Sequence, residues 1–378
     1  MKIVCDNKIP FLRGVLEPYA EVVYLPGKDT DADVVKDADA IITRTRTICN
    51  ESLLKGSSVK VIATATIGFD HIDTEWCEQN GIIWRNAPGC NSWSVKQYIS
   101  SVLEVLAMKH GFSLEGRTLG VVGVGNVGSK VAAAARALGM KVLLNDPPRA
   151  RKEGGEGFVS LDEIMAQSDI ITLHVPLCRE GEDATWHLFD QARIKAMRKD
   201  QILINSSRGP VVDNKALKVA LQQKDIMGAV LDVWEGEPDL DRGLIELLDI
   251  TTAHIAGYSA DGKANGTMAS VRTVSEILGL PLTDWTPSDI PAPEQELEFS
   301  IDASGKTREE VLREAVLYTY DVREDSDRLR NAPELFEKLR GDYQIRREPS
   351  AFRVILNGGT ADEVGALEAI GFKVLIKK

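Results

Sequence analysis

The stretch DVWEGEPDLDRGLIELLDITTAHIAG, residues 232–257, places Glu237 just after one strand-like run and His254 at the end of the next. A carboxylate that accepts one imidazole N–H fixes the tautomer. It also stabilises the imidazolium formed when the other ring nitrogen removes a hydroxyl proton. This is the orienting logic of a catalytic triad. A second run, INSSRGP, follows another strand-like segment and offers Ser206, Ser207 and Arg208 ahead of a Gly-Pro turn. The fork of a guanidinium holds a carboxylate bidentately and polarises the oxygen beside it. Among the five histidines, His71, His110 and His187 fall in a helix entry, a helix end and a loop, where solvated or capping roles are the default. His174 and His254 both stand near strand ends, and spacing leaves either open as the proton carrier; the nearby Glu237 tilts the choice toward His254.

TLGVVGVGNVGSKVAAAARALG sets Gly123, Gly125 and Gly128 in a GxGxxG pattern between a strand-like run and an alanine-rich helix, with Asn126 and Val127 inside the turn. Gly123 permits the tight turn, Gly125 lets the backbone approach a pyrophosphate, and Gly128 lets the helix pack on the sheet. The helix N-terminus adds free N–H groups and a positive dipole. Asp146 closes the next strand, KVLLND, where it accepts hydrogen bonds from a ribose diol and repels a 2′-phosphate. NAD is therefore expected over NADP, although Arg149 and Arg151 lie close enough in sequence to accommodate that phosphate. His174 leads into Val175-Pro176, a backbone contact on the nicotinamide side.

These groups need a scaffold, and the composition supplies one. The chain has 378 residues, 43% of them apolar and 27% charged, the balance of a globular protein of more than one folding unit. A net charge of -12 disfavours nucleic acid as a partner, because nonspecific affinity for it rests on lysine and arginine displacing counterions. No apolar run approaches the ~20 residues of a membrane span, and the N-terminus carries no secretory h-region, so a cytoplasmic protein is expected. Five cysteines without a CxxC pair suggest reduced thiols, no disulfide framework and no metal site.

Five short β-rich runs occupy the first ninety residues: KIVC, EVVYL, DAIITRT, VKVIATAT and GIIWRN. Their alternation with helical or turn-like stretches predicts a parallel sheet. SWSVKQYISSVLEVLAMKH then repeats Val95, Ile99, Val102, Leu103 and Leu106 at helical spacing, a long helix expected to bridge two domains. Six further strands follow, TLGVVGVG, KVLLND, DIITLHVP, QILINSS, GAVLDVW and DITTAH, enough for a dinucleotide-binding sheet. A linker with four prolines covers residues 280–296. Beyond it, KTREEVLREAVLYTY and DSDRLRNAPELFEKLR read as amphipathic helices, and FRVIL and FKVLIKK as strands.

GVGNVG, the strand-end Asp146, SSRGPVVD, LDVWEGEP and TTAHIAGYS together resemble the D-isomer-specific 2-hydroxyacid dehydrogenase family over about the first 280 residues. NDPPR, HIAGYSADGKANGT and the tail after the linker resemble one branch of it, which oxidises a phosphorylated 2-hydroxy acid on a route to pyridoxal 5′-phosphate. The fold so implied is α/β: a Rossmann-type doubly wound cofactor domain, residues 93–257, inserted in a smaller flavodoxin-like α/β substrate domain of residues 1–92 and 258–286. A C-terminal α+β dimerisation domain, residues 287–378, would make a homodimer. The resemblance further implies Arg208, Glu237 and His254 as the catalytic trio, with His254 transferring the proton, which decides against His174. It implies NAD contacts at Asp146, Val175, Ser206, Ser207, Arg208, Asp232 and Gly257, and substrate contacts at Thr45, Thr66 and Tyr258. Position 45 is usually serine in that pattern, so Thr45 keeps the hydroxyl and adds a methyl group. Arg44 or Arg46, on the strand-like DAIITRT, would meet the phosphate, with Arg44 preferred, and the tail pair Arg346 and Arg347 could contribute across a dimer. The same fold serves 3-phosphoglycerate dehydrogenase, hydroxypyruvate reductase and NADH-sensing corepressors, which stand as the alternatives.

Overall fold

The structure, a computed structural model, describes residues 1–377. The chain divides into two compact units, Met1–Asn91 with Ser259–Pro291, and Ser92–Tyr258 with Ala292–Lys378.

In the first unit, β1 (Lys2–Asp6), β2 (Glu21–Leu25), β3 (Ala40–Thr43), β4 (Val61–Thr64) and β5 (Ile83–Arg85) form a parallel sheet in the order β2-β1-β3-β4-β5. That is the flavodoxin-like order, with its switch point between β1 and β3. Period-two alternation sorts the side chains. Ile3, Cys5, Ile42, Val61 and Ala63 pack with Val271 and Val274 of the helix Ala260–Leu278, whereas Val4, Ile41 and Ile62 face Leu54 and Cys77 on the other side. Gly266 lets that helix close on the sheet, because a Cβ there would lie 2.5 Å from the Ala65 carbonyl oxygen. From Leu280 to Leu297 no helix or strand forms, as the prolines require.

The second unit contains β6 (Thr118–Val122), β7 (Lys141–Asn145), β8 (Ile170–Leu173), β9 (Ile202–Asn205), β10 (Gly228–Leu231) and β11 (Ile250–Thr251), all parallel in the order β11-β10-β9-β8-β6-β7. The chain winds outward from β6 to β7 and returns to β8 on the other side, so the switch point lies between the carboxyl ends of β6 and β8. One face of this sheet, Leu119, Val121, Ile170, Ile204 and Val230, packs on the helices Ser92–His110 and Asn126–Ala137. The other face, with Ile171, Leu173, Leu203 and Leu231, packs on Ile164, Ile194 and Leu217.

One expectation about the scaffold changes here. The helix Ser92–His110 lies wholly within the second unit and does not bridge the two; it is buried nearly all round. Its apolar stripe meets the sheet helices, and its polar side accepts the C-terminal residues: Ser94 Oγ donates to Glu348 at 2.9 Å, Gln97 Nε2 to the Arg347 carbonyl at 2.9 Å, and Arg313 Nε to the buried Glu104 at 3.0 Å. The C-terminal residues share one apolar cluster with this helix through Ile301, Val311, Val316, Phe352 and Leu367, so this small domain packs within the second unit. Their own sheet is parallel, with β12 (Glu298–Asp302), β13 (Arg353–Asn357) and β14 (Lys373–Lys377) in that order. The sequence reading missed β12. It also ran one helix through DSDRLRNAPELFEKLR, which breaks into Val322–Asn331 and Phe336–Gly341 around Pro333. Among the described residues, no helix is long and apolar enough to cross a membrane and no cluster of His, Cys, Asp or Glu is arranged to hold a metal.

Candidate active site

The glycine-rich turn closes on itself before any ligand is considered. Gly123 has φ +86°, and a Cβ there would lie 2.5 Å from the His174 carbonyl oxygen and 2.8 Å from Val175 Cγ1. Gly128 packs so tightly that a Cβ would come within 1.9 Å of the Gly123 carbonyl oxygen. Gly125 is different: a Cβ there would meet no protein atom within 4 Å. The protein itself needs the first and third glycines, and the second leaves space at a helix N-terminus that no side chain caps. An uncapped N-terminus with open room beside it fits a pyrophosphate. Asn126 and Val127 begin that helix.

Asp146 stands at the end of β7. Its Oδ2 accepts from the Val124 N–H at 2.8 Å and its Oδ1 from the Arg149 N–H at 3.1 Å, which caps the helix Pro147–Glu153. A carboxylate has about four acceptor sites, so capacity remains for a ribose diol. The nearby cations are already engaged. Arg149 bonds Glu153 through Nε and Nη2 at 2.8 Å each, and Arg151 pairs with Glu182 and Asp183. Neither arginine stands ready for a 2′-phosphate, so the residues present fit NAD.

Three neighbouring strand ends assemble the reactive groups. After β9, Ser207 Oγ donates to Asn205 Oδ1 at 2.8 Å, and Arg208 Nη1 donates back to the Ser207 carbonyl at 2.8 Å. Ser206 Oγ is buried with no partner among the described residues, and it sits beside the expected cofactor contacts. Gly209 presses its backbone on the loop after β10, where a Cβ would lie 1.9 Å from the Trp234 carbonyl oxygen. The Trp234 N–H then donates to Glu237 Oε1 at 2.9 Å, and Glu237 Oε2 meets His254 Nδ1 at 2.8 Å. Backbone packing therefore joins the loop of Arg208 to that of Glu237, and one hydrogen bond joins Glu237 to His254. Burial pushes the Glu237 carboxyl up, but the bond and charge of His254, the Trp234 N–H and the charge of Arg340 outweigh it and hold its pKa below the ordinary value.

His254 has φ +55°, a left-handed conformation uncommon outside glycine. Asp232 holds the turn around it. Its carboxylate accepts from Thr252 Oγ1 at 2.6 Å, the Ile255 N–H at 2.7 Å and the Ala256 N–H at 3.0 Å, and its carbonyl from the His254 N–H at 2.8 Å. The buried Asp232, which the resemblance gives as a cofactor contact, thereby shapes the turn that carries His254. Gly257 follows in the same turn, half-buried. The ring of His174, the other candidate, meets Thr172 Oγ1 at 3.0 Å, and desolvation pushes its pKa down to about 3. It carries a neutral ring with no carboxylate to orient it.

Tyr258 closes the turn, and its hydroxyl accepts from Arg340 Nη2 at 3.2 Å. Arg340 is the group that sequence reasoning passed over. It lies in a broken helix far along the chain, and no local pattern marks it. Arg346 is not a free phosphate ligand: it is 3% exposed and spends its guanidinium on backbone carbonyls of its own chain. In the first unit β3 stops at Thr43, so Arg44, Thr45 and Arg46 lie in a bend and the two-residue strand alternation does not govern them. Thr45 is exposed, Arg44 Nη1 reaches the Lys8 carbonyl at 3.4 Å, and Thr66 Oγ1 bonds Thr64 at 2.7 Å and the Gly68 carbonyl at 2.9 Å.

Residues 91–256 match the model of the D-isomer specific 2-hydroxyacid dehydrogenase, NAD binding domain, and residues 293–371 match a domain of unknown function (DUF3410). The chain is 51% identical to erythronate-4-phosphate dehydrogenase of Bacteroides fragilis over 94% of this chain and 99% of that protein. It is 42% identical to the same enzyme of Porphyromonas gingivalis over 98% and 100%. The chain belongs to the erythronate-4-phosphate dehydrogenase family. Among solved structures, D-lactate dehydrogenase from Aquifex aeolicus, complexed with NAD and lactic acid, superposes with a TM-score of 0.62 at 29% identity, covering 74% of this chain and 96% of that one. The NAD-dependent formate dehydrogenase of Staphylococcus aureus, at 24% identity and a TM-score of 0.59 over 77% and 98%, shares the fold. Family membership makes the second unit's six-stranded sheet an NAD-binding sheet and the chain a dehydrogenase.

Proposed function

We propose that this chain oxidises 4-phospho-D-erythronate at C2 with NAD, giving (R)-3-hydroxy-2-oxo-4-phosphooxybutanoate for pyridoxal 5′-phosphate synthesis. The observation that carries the reading is the 2.8 Å contact of Glu237 with His254, on a loop pressed against that of Arg208. Arg208 holds the substrate carboxylate and faces the C2 oxygen. His254 Nε2 removes the C2 hydroxyl proton, and Glu237 on Nδ1 balances the imidazolium that results. NAD, when bound, would accept the C2 hydrogen together with the two electrons of its bond as hydride. As the carbonyl forms, the guanidinium of Arg208 stabilises the charge on its oxygen. Thr45, Thr66, Tyr258 and Arg44 are retained as substrate contacts on the strength of the resemblance.

Purified protein followed by NADH absorbance should turn over 4-phosphoerythronate, with 3-phosphoglycerate and hydroxypyruvate much poorer substrates. His254→Ala should lose roughly 10²–10⁴-fold in kcat while keeping NAD affinity. Preference for 3-phosphoglycerate, or unchanged turnover in the alanine variant, would overturn the reading. A homodimer through the C-terminal residues is proposed with it, supported by the exposed Leu375 and Ile376 on the edge strand β14. The buried thiols Cys5, Cys49 and Cys77 suit a reducing cytoplasm.

A further inference from the structure

The turn that carries His254 is gripped from two sides. Asp232 takes the N–H groups of Ile255 and Ala256. From the C-terminal residues, Arg346 Nη2 donates to the carbonyl oxygens of the same two residues, at 3.2 and 2.7 Å. The Ile255–Ala256 peptide unit is thus held between a buried carboxylate on its N–H and a buried guanidinium on its carbonyl, and the units on either side are each held by one of the two, immediately after the left-handed His254. A conformation of that kind persists only where the surroundings over-determine it.

Arg346 is itself aimed. Its guanidinium lies over the Tyr320 ring at 4.4 Å and the Tyr343 ring at 5.6 Å, and its Nη1 reaches the Tyr343 hydroxyl at 3.4 Å. Both phenols donate to Asp325 Oδ2, Tyr320 at 2.9 Å and Tyr343 at 2.6 Å, and Arg328 closes the far side of that carboxylate at 2.9 Å. The charged groups facing Arg346 are therefore Asp325 behind the tyrosines and Asp232 across the turn. Stability alone does not call for this arrangement, because apolar residues of similar volume often replace a buried charge without loss. A directional fork bonded to two successive carbonyls fixes one conformation of the turn.

We infer that Arg346, oriented by Tyr320, Tyr343 and Asp325, is a positioning residue for His254, so that the C-terminal segment sets the alignment of the proton-transferring imidazole. The inference rests on the role proposed above for His254. It also gives the tail a task within its own subunit, separate from any part in assembly. A misplacement of about 1 Å at a reacting group costs on the order of 10²-fold in rate.

The test uses the full-length protein and its Arg346→Met, Arg346→Lys and Tyr343→Phe variants. Measured quantities are kcat and KM for 4-phosphoerythronate, NAD affinity, melting temperature, and the titration of the His254 ring followed by its nitrogen shifts. Arg346→Met should lose roughly 10–10²-fold in kcat, with KM and NAD affinity near wild type and a moved His254 titration. Arg346→Lys, which restores one donor, should recover part of the loss, and Tyr343→Phe should fall between wild type and Arg346→Met. Wild-type kcat in a folded Arg346→Met protein would overturn the inference, as would a loss that follows melting temperature alone while the His254 titration stays in place. Should Arg346→Met not fold, Tyr343→Phe decides by the same two readouts. A wild-type protein inactive on 4-phosphoerythronate would sink the proposed substrate, yet the ring titration would still decide whether Arg346 positions His254.

Discussion

At the scale of single residues, the proposed reaction rests its chemistry and its pH dependence on the Glu237–His254 pair. Glu237 has a folded-state pKa below its ordinary value, because the interactions with His254, Trp234 and Arg340 outweigh the cost of burial. A depressed carboxyl contributes stability that is present above its unfolded pKa and is lost as pH falls through the folded one. Glu237→Gln should therefore be less stable than wild type at neutral pH, and the deficit should shrink as acid protonates the wild-type carboxyl; urea melts across the acid range check this. The same variant loses the acceptor that orients Nδ1. Its kcat should drop by more than about tenfold, given that removing the orienting carboxylate of a serine-protease triad costs ~10⁴. Full activity at every pH would show that the contact has no part in turnover. The partners themselves were legible in the sequence, since both end strand-like runs of one short segment. Their distance was not, because it depends on the Trp234 N–H holding Glu237 and on Asp232 folding the turn of His254, contacts that spacing does not reveal.

At the scale of elements, the turn after β6 and the acid after β7 act together to select the cofactor. Asp146 ties down both Val124 and the first turn of the helix Pro147–Glu153, and as the proposed ribose acceptor it is the group to change. Asp146→Ser should weaken NAD binding by about 10–10²-fold, the loss of one charge-assisted hydrogen bond, with much less effect on NADP. Because Glu153 holds Arg149, the single change should gain little NADP activity. Adding Glu153→Gln frees the guanidinium, so the double variant should use NADP better than the single one; equal NADP use by both would show that Arg149 cannot reach the 2′-phosphate. The strands here were readable because buried parallel strands are continuous apolar runs bounded by glycine and polar residues. The strand β12 was hidden for a physical reason. EFSID has only Phe299 and Ile301 on one face, and it follows directly on the proline-rich stretch, so its alternation reads as more linker.

At the scale of the whole molecule, the sequence marked where the C-terminal segment begins but not what it folds against. The proline-rich stretch announced a boundary, yet the attachment runs through Glu348, Arg313 and Arg346, whose partners on the helix Ser92–His110 and the His254 turn lie far away in the chain. No local period encodes pairings of that range. What this segment leaves uncovered gives the last prediction. β14 is an edge strand, and Leu375 and Ile376 are 49% and 45% exposed. Adjacent strand residues point to opposite faces, so both sides of β14 present apolar surface next to unpaired backbone groups. An edge of that kind pairs with another chain unless charge blocks it, and here the lysines stand only at the ends, Lys373 and Lys377. Wild-type protein should therefore sediment as the proposed dimer, and Leu375→Glu with Ile376→Glu as a monomer, with the helices and sheets retained by circular dichroism. A double variant that stays dimeric at wild-type concentrations would place the contact between copies elsewhere on the chain.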